Sequence, residues 1–208
     1  MSKAVEDFHR LYYMIADKTL LSGERLYGLF KAIVAVEKEG IPGEVMECGA
    51  AAGGSAALMG LTLKSLGSDR LLWVLDTFEG IPAPTADDPA GAEQYTGAFK
   101  GSLEDVGNLF NELGIKGLML KGMFQDTLSA IKVGHLAVLH LDGDWYESTK
   151  CCLENLYDRV SPGGFIQIDD YGHWEGCRKA VNEFFESRGL SPELEWLDYT
   201  GVQFRKEK

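Results

Sequence analysis

Glu44-Val45-Met46-Glu47-Cys48-Gly49-Ala50-Ala51-Ala52-Gly53-Gly54-Ser55 reads as a short apolar strand running into a glycine-rich turn, and the Ala- and Leu-rich run to Leu66 reads as the helix that follows. The downstream residues repeat this strand–turn–helix unit. A second apolar run, Leu71-Leu72-Trp73-Val74-Leu75, stops at Asp76. A helix over 103–113, a strand over 117–121, a helix over 126–131 and a strand over 136–141 continue the alternation. A helix over 147–160, a turn at Ser161-Pro162-Gly163-Gly164, a strand over 165–168 and a helix over 177–187 extend it. Alternation of this kind predicts a parallel sheet covered by helices on both faces, and the strands are apolar enough to be buried on both sides. The last two strands, about 193–197 and 201–205, are joined only by Asp198 to Thr200, so they must pair antiparallel. The expected fold is α/β and Rossmann-like: a mostly parallel seven-stranded sheet with an antiparallel C-terminal hairpin.

Upstream, residues 7–38 repeat apolar side chains at helical spacing, with Leu26, Leu29, Phe30, Ile33, Val34 and Val36 in a stripe that ends at Gly40. One or two helices are expected there. The reading is one domain over 1–208, with 1–40 as a helical cap segment and 41–208 as the Rossmann-like core. A chain of 208 residues, 45% hydrophobic and 25% charged, has ordinary globular composition. A formal net charge of −12 argues against nucleic acid as a partner, since such binding draws on clustered Lys and Arg. The four cysteines, Cys48, Cys151, Cys152 and Cys177, show no paired C-x-x-C spacing, and residues 1–18 lack the apolar region of a signal peptide. Reduced thiols and a cytoplasmic location are expected. No apolar run approaches the roughly 18 residues that span a bilayer, so no membrane partner is expected. Residues 82–101, rich in Pro, Ala, Gly and Asp, read as a mobile surface loop.

In open α/β sheets ligands bind outside the carboxyl ends of the strands, so the residues at those ends carry the candidate chemistry. Glycines in Gly49 to Gly54 let the backbone approach a ligand, and Asp76 stands where an acidic side chain meets a ribose. An adenosine cofactor follows from the pair, although a tight strand-to-helix connection would explain the turn equally well. Ala51 occupies the place of the middle glycine of a dinucleotide fingerprint. Glu47 would repel a pyrophosphate and suits the positively charged methionine portion of S-adenosylmethionine, which favours the methyl donor over a nicotinamide dinucleotide.

Asp142-Gly143-Asp144 and Asp169-Asp170 follow the fourth and fifth strands, so four carboxylates converge on one rim. Ionised carboxylates at close range repel and call for a compensating cation. With no His or Cys nearby to favour zinc, hard oxygen ligands point to Mg²⁺ or another hard divalent cation. A single Asp at such a place would more simply cap the next helix. Trp145, Tyr146 and Trp174 lie beside the aspartates, where they either stack on an acceptor ring or pack in the core. Cys151 and Cys152, on the helix over 147–156, read as packing residues. His173 is a rival to the aspartates as a proton acceptor.

Several stretches in order resemble the macrocin-type (TylF-like) sugar O-methyltransferases, a family of class I S-adenosylmethionine-dependent enzymes. They are Glu47-Cys48-Gly49 with Gly53-Gly54-Ser55, Asp76-Thr77-Phe78-Glu79-Gly80-Ile81-Pro82, and Lys121-Gly122-Met123-Phe124 with Asp126-Thr127-Leu128. Leu141 to Thr149, Ser161 to Phe165 and Asp169-Asp170-Tyr171-Gly172 complete the set. The resemblance implies that Asp142, Asp169 and Asp170 hold Mg²⁺ and that Asp144 takes the proton from an acceptor hydroxyl. It implies that Glu47, Cys48, Gly49, Ala50, Ala51, Gly53, Ser55, Asp76, Thr77, Phe78, Glu79 and Gly80 bind the donor. Ser102, Phe124, Asp142 and Gly143 complete the implied donor site. The implied acceptor is a hydroxyl on a sugar or glycoside, and a homo-oligomer is plausible for the family. The chain departs from the family at Ala50-Ala51-Ala52, where a bulky residue and an Arg are common. Two alternatives share the fold: a catechol or phenol O-methyltransferase using the same cation, and a non-catalytic S-adenosylmethionine-binding protein.

Overall fold

Ser22 accepts the Arg25 N–H and starts a helix that Gly40, in the left-handed conformation, ends. The computed structural model describes residues 3–207, and in it the N-terminal helical segment forms two helices, α1 (Lys3–Tyr12) and α2 (Gly23–Glu39). The core then runs β1 (Glu44–Cys48), α3 (Gly54–Leu66), β2 (Leu72–Asp76), α4 (Leu103–Leu113), β3 (Leu118–Lys121), α5 (Phe124–Ala130) and β4 (Leu136–Leu141). It closes with α6 (Tyr146–Leu156), β5 (Val160–Ile168), α7 (Glu175–Arg188), β6 (Glu195–Trp196) and β7 (Val202–Arg205).

The seven strands form one sheet in the order β3-β2-β1-β4-β5-β7-β6. β1 to β5 are parallel, whereas β7 lies antiparallel to both β5 and β6. The sheet and its antiparallel end agree with the sequence reading. The chain reverses its direction of progress between β1 and β4, and this switch point is where such sheets open a crevice. Two apolar layers cover the sheet. One packs Phe8, Leu26, Ile33, Leu58 and Phe110 from α1 to α4. The other packs Leu128, Leu153, Val181 and Phe185 from α5, α6 and α7. No helix among the described residues is long and apolar enough to cross a membrane, and the four cysteines are free.

Local chemistry moves several boundaries. Ser161 to Gly164 form no turn between separate elements. They lie within β5 as an irregularity, for Leu136 pairs with Val160 while Val138 pairs with Phe165. Gly163, at φ 84, accommodates this bulge. The helix expected to reach residue 160 stops at Leu156 and passes into a 3₁₀ turn, Tyr157–Arg159.

Residues 82–101 are not a loose loop. Ile81 and Ala92 pack on Trp145, the Trp145 indole donates to the Pro82 carbonyl at 2.7 Å, and Asp88 accepts the Tyr146 N–H at 2.9 Å. The segment is a strap that caps the start of α6. The link between α1 and α2 is held as closely: the Gly54 N–H donates to the Lys18 carbonyl at 3.1 Å, where a β-carbon on Gly54 would stand 2.5 Å from that oxygen.

Candidate active site

The ends of β1, β2, β4 and β5 are stitched together just before their loops diverge. Gly49 donates to the Leu75 carbonyl, Asp142 to that of Cys48, and Asp169 to that of Leu141, at 2.8 to 2.9 Å. Above this seam lies a cleft of about 650 Å³. Gly49 (φ 97) makes the seam possible, because a β-carbon there would sit 1.7 Å from the Asp142 carbonyl.

Asp76 organises one wall of the cleft. Its Oδ2 accepts the Ala50 and Ala51 N–H groups at 2.7 and 3.0 Å, and its Oδ1 accepts the Phe78 N–H at 2.6 Å. Ala51 and Phe78 both hold left-handed backbone, at φ 44 and 52. That conformation costs a residue with a β-carbon about 1 kcal/mol or more, and one carboxylate secures both.

The cleft is lined by Gly49, Ala50, Ala51, Ser55, Asp76, Thr77, Gly80, Phe124, Asp142, Gly143, Asp144, Asp169 and Asp170, all expected site residues. The remaining candidates lie behind its wall or beside it. Glu47 is fully buried and turned to His140. Cys48 and Phe78 belong to the apolar core, and Gly53 faces Val106. Glu79 pairs with Lys121 on the surface at 2.9 Å. Ser102 caps α4 by accepting the Asp105 N–H at 3.0 Å.

Four carboxylates do converge. Ligand atoms of Asp142, Asp144 and Asp170 lie within 4.8 Å of one another, and so do those of His140, Asp142 and Asp169. Burial first, then the neighbouring carboxylates, push the Asp142 and Asp170 carboxyls well above the usual range. Burial also raises Asp144, to about 7, against a hydrogen bond from the Trp174 indole at 3.1 Å that favours its charged form. Asp169 Oδ1 and Asp170 Oδ2 are buried with no hydrogen-bond partner among the described residues. Unpartnered buried carboxylate oxygens beside further carboxylates make a donor set that fits a hard cation.

The expectation of no nearby histidine needs correction. His140, one residue before the end of β4, is fully buried beneath the aspartates. A titratable residue inside the otherwise apolar run 136–141 was the signal for it. Arg25 was also missed. It comes from the first turn of α2, lines the cleft, and forms a salt bridge with Asp169, while its Nε holds Asp198 at 2.9 Å. Nothing local in the sequence marks it.

Asp144 is itself left-handed, at φ 57, which aims its side chain from a tight turn into the cleft. Trp145 is a packing residue, 1% exposed. Tyr146 donates to Glu183 away from the cleft, at 2.6 Å. Trp174 and His173 line the cleft, and the Trp174 ring meets Trp145 edge-on at 4.8 Å.

Comparison with known proteins adds to this geometry. A family model described as macrocin O-methyltransferase (TylF) matches residues 13–206. The chain is 39% identical over 196 residues to 8-demethyl-8-(2,3-dimethoxy-alpha-L-rhamnosyl)-tetracenomycin-C 4'-O-methyltransferase of Streptomyces olivaceus, covering 90% of this chain and 75% of that one. It is 37% identical to mycinamicin III 3''-O-methyltransferase of Micromonospora griseorubida, covering 93% and 80%. Among solved structures it is similar to the O-methyltransferase NovP, with a TM-score of 0.86, 33% identity, and 92% and 83% of the two chains covered.

Proposed function

The chain belongs to the macrocin O-methyltransferase (TylF) family and is an S-adenosylmethionine-dependent O-methyltransferase, and from that premise we propose that it methylates a hydroxyl on the sugar moiety of a small-molecule natural product with the help of a hard divalent cation, Mg²⁺ foremost. The observation that carries the cation reading is the set of buried, unpartnered carboxylate oxygens of Asp169 and Asp170 beside Asp142. The relatives whose names specify sugar positions support the acceptor class.

In this reading Asp142, Asp169 and Asp170 hold the cation, which when bound acidifies and orients an acceptor hydroxyl. Methyl transfer is an in-line displacement at the sulfonium carbon, so the enzyme's main task is orientation. Asp144 takes the proton that leaves the acceptor hydroxyl as the new O–CH₃ bond forms and the C–S bond breaks, leaving S-adenosylhomocysteine. Its Trp174 hydrogen bond and left-handed backbone fix the accepting oxygen. Asp76 shapes the donor loop by holding Ala50, Ala51 and Phe78. Ile81 and the strap residues Pro82, Tyr95 and Phe99 wall the cleft and limit water.

Isothermal titration of S-adenosylhomocysteine with and without Mg²⁺, on wild type and on Asp169→Asn/Asp170→Asn, tests the reading together with an acceptor panel of sugar diols and flat catechols. Stoichiometric nucleoside binding, a cation lost in the double variant and turnover of the sugar diols are expected. Binding and turnover that are indifferent to chelation would remove the cation from the mechanism, and turnover of catechols alone would replace the acceptor.

A further inference from the structure

His140 stands at the centre of a buried chain of charges that the donor and acceptor chemistry does not account for. β1 and β4 pair Glu47 directly with His140, and β4 and β5 pair His140 with Gln167, two residues before Asp169. The His140 Nδ1 lies 2.8 Å from Glu47 Oε1, and both side chains are fully buried. On its other side Nε2 faces Asp169 Oδ1 at 3.6 Å, too long for a hydrogen bond but close enough to orient the carboxylate. Nε2, Asp169 Oδ1 and Glu47 Oε2 have no hydrogen-bond partner among the described residues. The second oxygen of Asp169 is held by Arg25. Asp169 is thus gripped from both sides, by α2 and by the middle of the sheet.

We propose that His140 is a positioning residue: anchored by Glu47 at the head of the donor loop, it orients Asp169 for the cation. The inference rests on the cation reading above. Its physical basis is that a ligating carboxylate needs its remaining lone pairs and its rotamer fixed by neighbours, and loss of such a neighbour typically costs about 10- to 100-fold in metal affinity. Glu47 fits the role of anchor, because its side chain is fully buried and, among the described residues, hydrogen-bonds to His140 alone. Glu47 accepts from Nδ1–H and so aims Nε2 at Asp169 Oδ1, the side on which an Nε2–H donates toward the carboxylate.

Two substitutions separate the two ring nitrogens. Asn carries its amide nitrogen where Nδ1 stands, so His140→Asn keeps a group near Glu47 and loses the one facing Asp169. Gln reaches to the place of Nε2, so His140→Gln keeps the group facing Asp169. Mn²⁺ binding, read from the free-ion electron paramagnetic resonance signal, is measured on the full chain beside calorimetric binding of S-adenosylhomocysteine. The expected result is that His140→Asn weakens Mn²⁺ by about 10- to 100-fold, that His140→Gln stays within about threefold of wild type, and that nucleoside affinity holds in both. Wild-type Mn²⁺ affinity in His140→Asn overturns the proposal, as does equal loss in both variants, which a packing role alone would produce. Wild type that binds no Mn²⁺ overturns the cation reading itself. Should neither variant fold, the ring nitrogens of His140 in ¹⁵N-labelled wild type decide: the Nε2 resonance moves on addition of Mg²⁺ if the proposal holds and stays in place if it does not.

Discussion

Asp76 accepts the backbone N–H of Ala51 at 3.0 Å while Ala51 holds a left-handed φ of 44. The carboxylate at the end of β2 therefore acts first on the protein's own loops. Asp76→Ala leaves three N–H groups without their acceptor. An unmade hydrogen bond costs about 1–3 kcal/mol when buried, and these are half-buried, so a loss of about 2–3 kcal/mol in urea unfolding is expected. S-adenosylhomocysteine should bind at least about tenfold more weakly, a change of about 1.4 kcal/mol. Unchanged stability with weakened binding would mean that Asp76 serves the ligand alone.

Asp144→Asn isolates proton acceptance. Asn tolerates left-handed backbone as readily as Asp, so the turn at φ 57 survives the change. A lost general base should lower kcat by roughly 10²- to 10⁴-fold. Nucleoside affinity should stay near wild type. His173→Asn on the same assay should change kcat less than about threefold, well short of a base's share. The reverse ranking would transfer the proton to His173.

How much of this was legible follows from the range of each signal. Strands and helices announce themselves within a dozen residues, and Asp142, Asp144 and Asp170 were identifiable because each closes or follows an apolar run. Glu47 was visible as the acidic head of a glycine-rich turn, yet its destination was not. Its partner His140 is 93 residues away, and the pairing exists only because β1 and β4 are neighbours across the switch point. Arg25 depends likewise on α2 reaching the ends of β5 and the β6–β7 link. Residues 82–101 looked loose because Pro, Gly and Asp predict turns, whereas their order comes from Trp145 and from Asp88 capping α6. The bulge in β5 imitates a turn for the same reason, since Pro162 and Gly163 suit either.

The proposed cation site predicts a stability response. Crowding of Asp142, Asp144 and Asp170 makes the ionised cluster unfavourable until a cation is present. At a Mg²⁺ concentration about 100 times Kd, mass action adds about 2.7 kcal/mol. For a chain of this size that corresponds to a rise in Tm of about 5–10 °C, at about 2–4 °C per kcal/mol. Asp170→Asn should melt higher than wild type after chelation, because it removes one of the crowded charges. It should also lose most of the Mg²⁺-dependent rise. Differential scanning fluorimetry in chelator and in Mg²⁺ reads both effects. A wild-type Tm indifferent to Mg²⁺, Mn²⁺ and Ca²⁺ would contradict the assignment.

Asp198 gives a pH dependence of definite sign. Burial alone would raise its pKa, but hydrogen bonds from the Gly201 N–H, the Ser22 hydroxyl and the Thr200 N–H, with the Arg25 guanidinium beside it, hold it at about 2. A carboxyl with a depressed folded pKa stabilises the fold above its unfolded value of 3.8 and loses that contribution as pH falls toward 2. After allowance for solvent screening the contribution is about 1 kcal/mol. Asp198→Asn should therefore be less stable than wild type by about that amount, on the order of 1 kcal/mol, at pH 6. The gap should narrow steadily below pH 4, as the unfolded chain gains the proton that the folded chain refuses. Urea unfolding of both proteins from pH 6 to pH 3 measures the gap directly. A gap independent of pH would assign the loss to hydrogen-bond geometry in the β6–β7 link, and Arg25 would then owe its position to Asp169 alone.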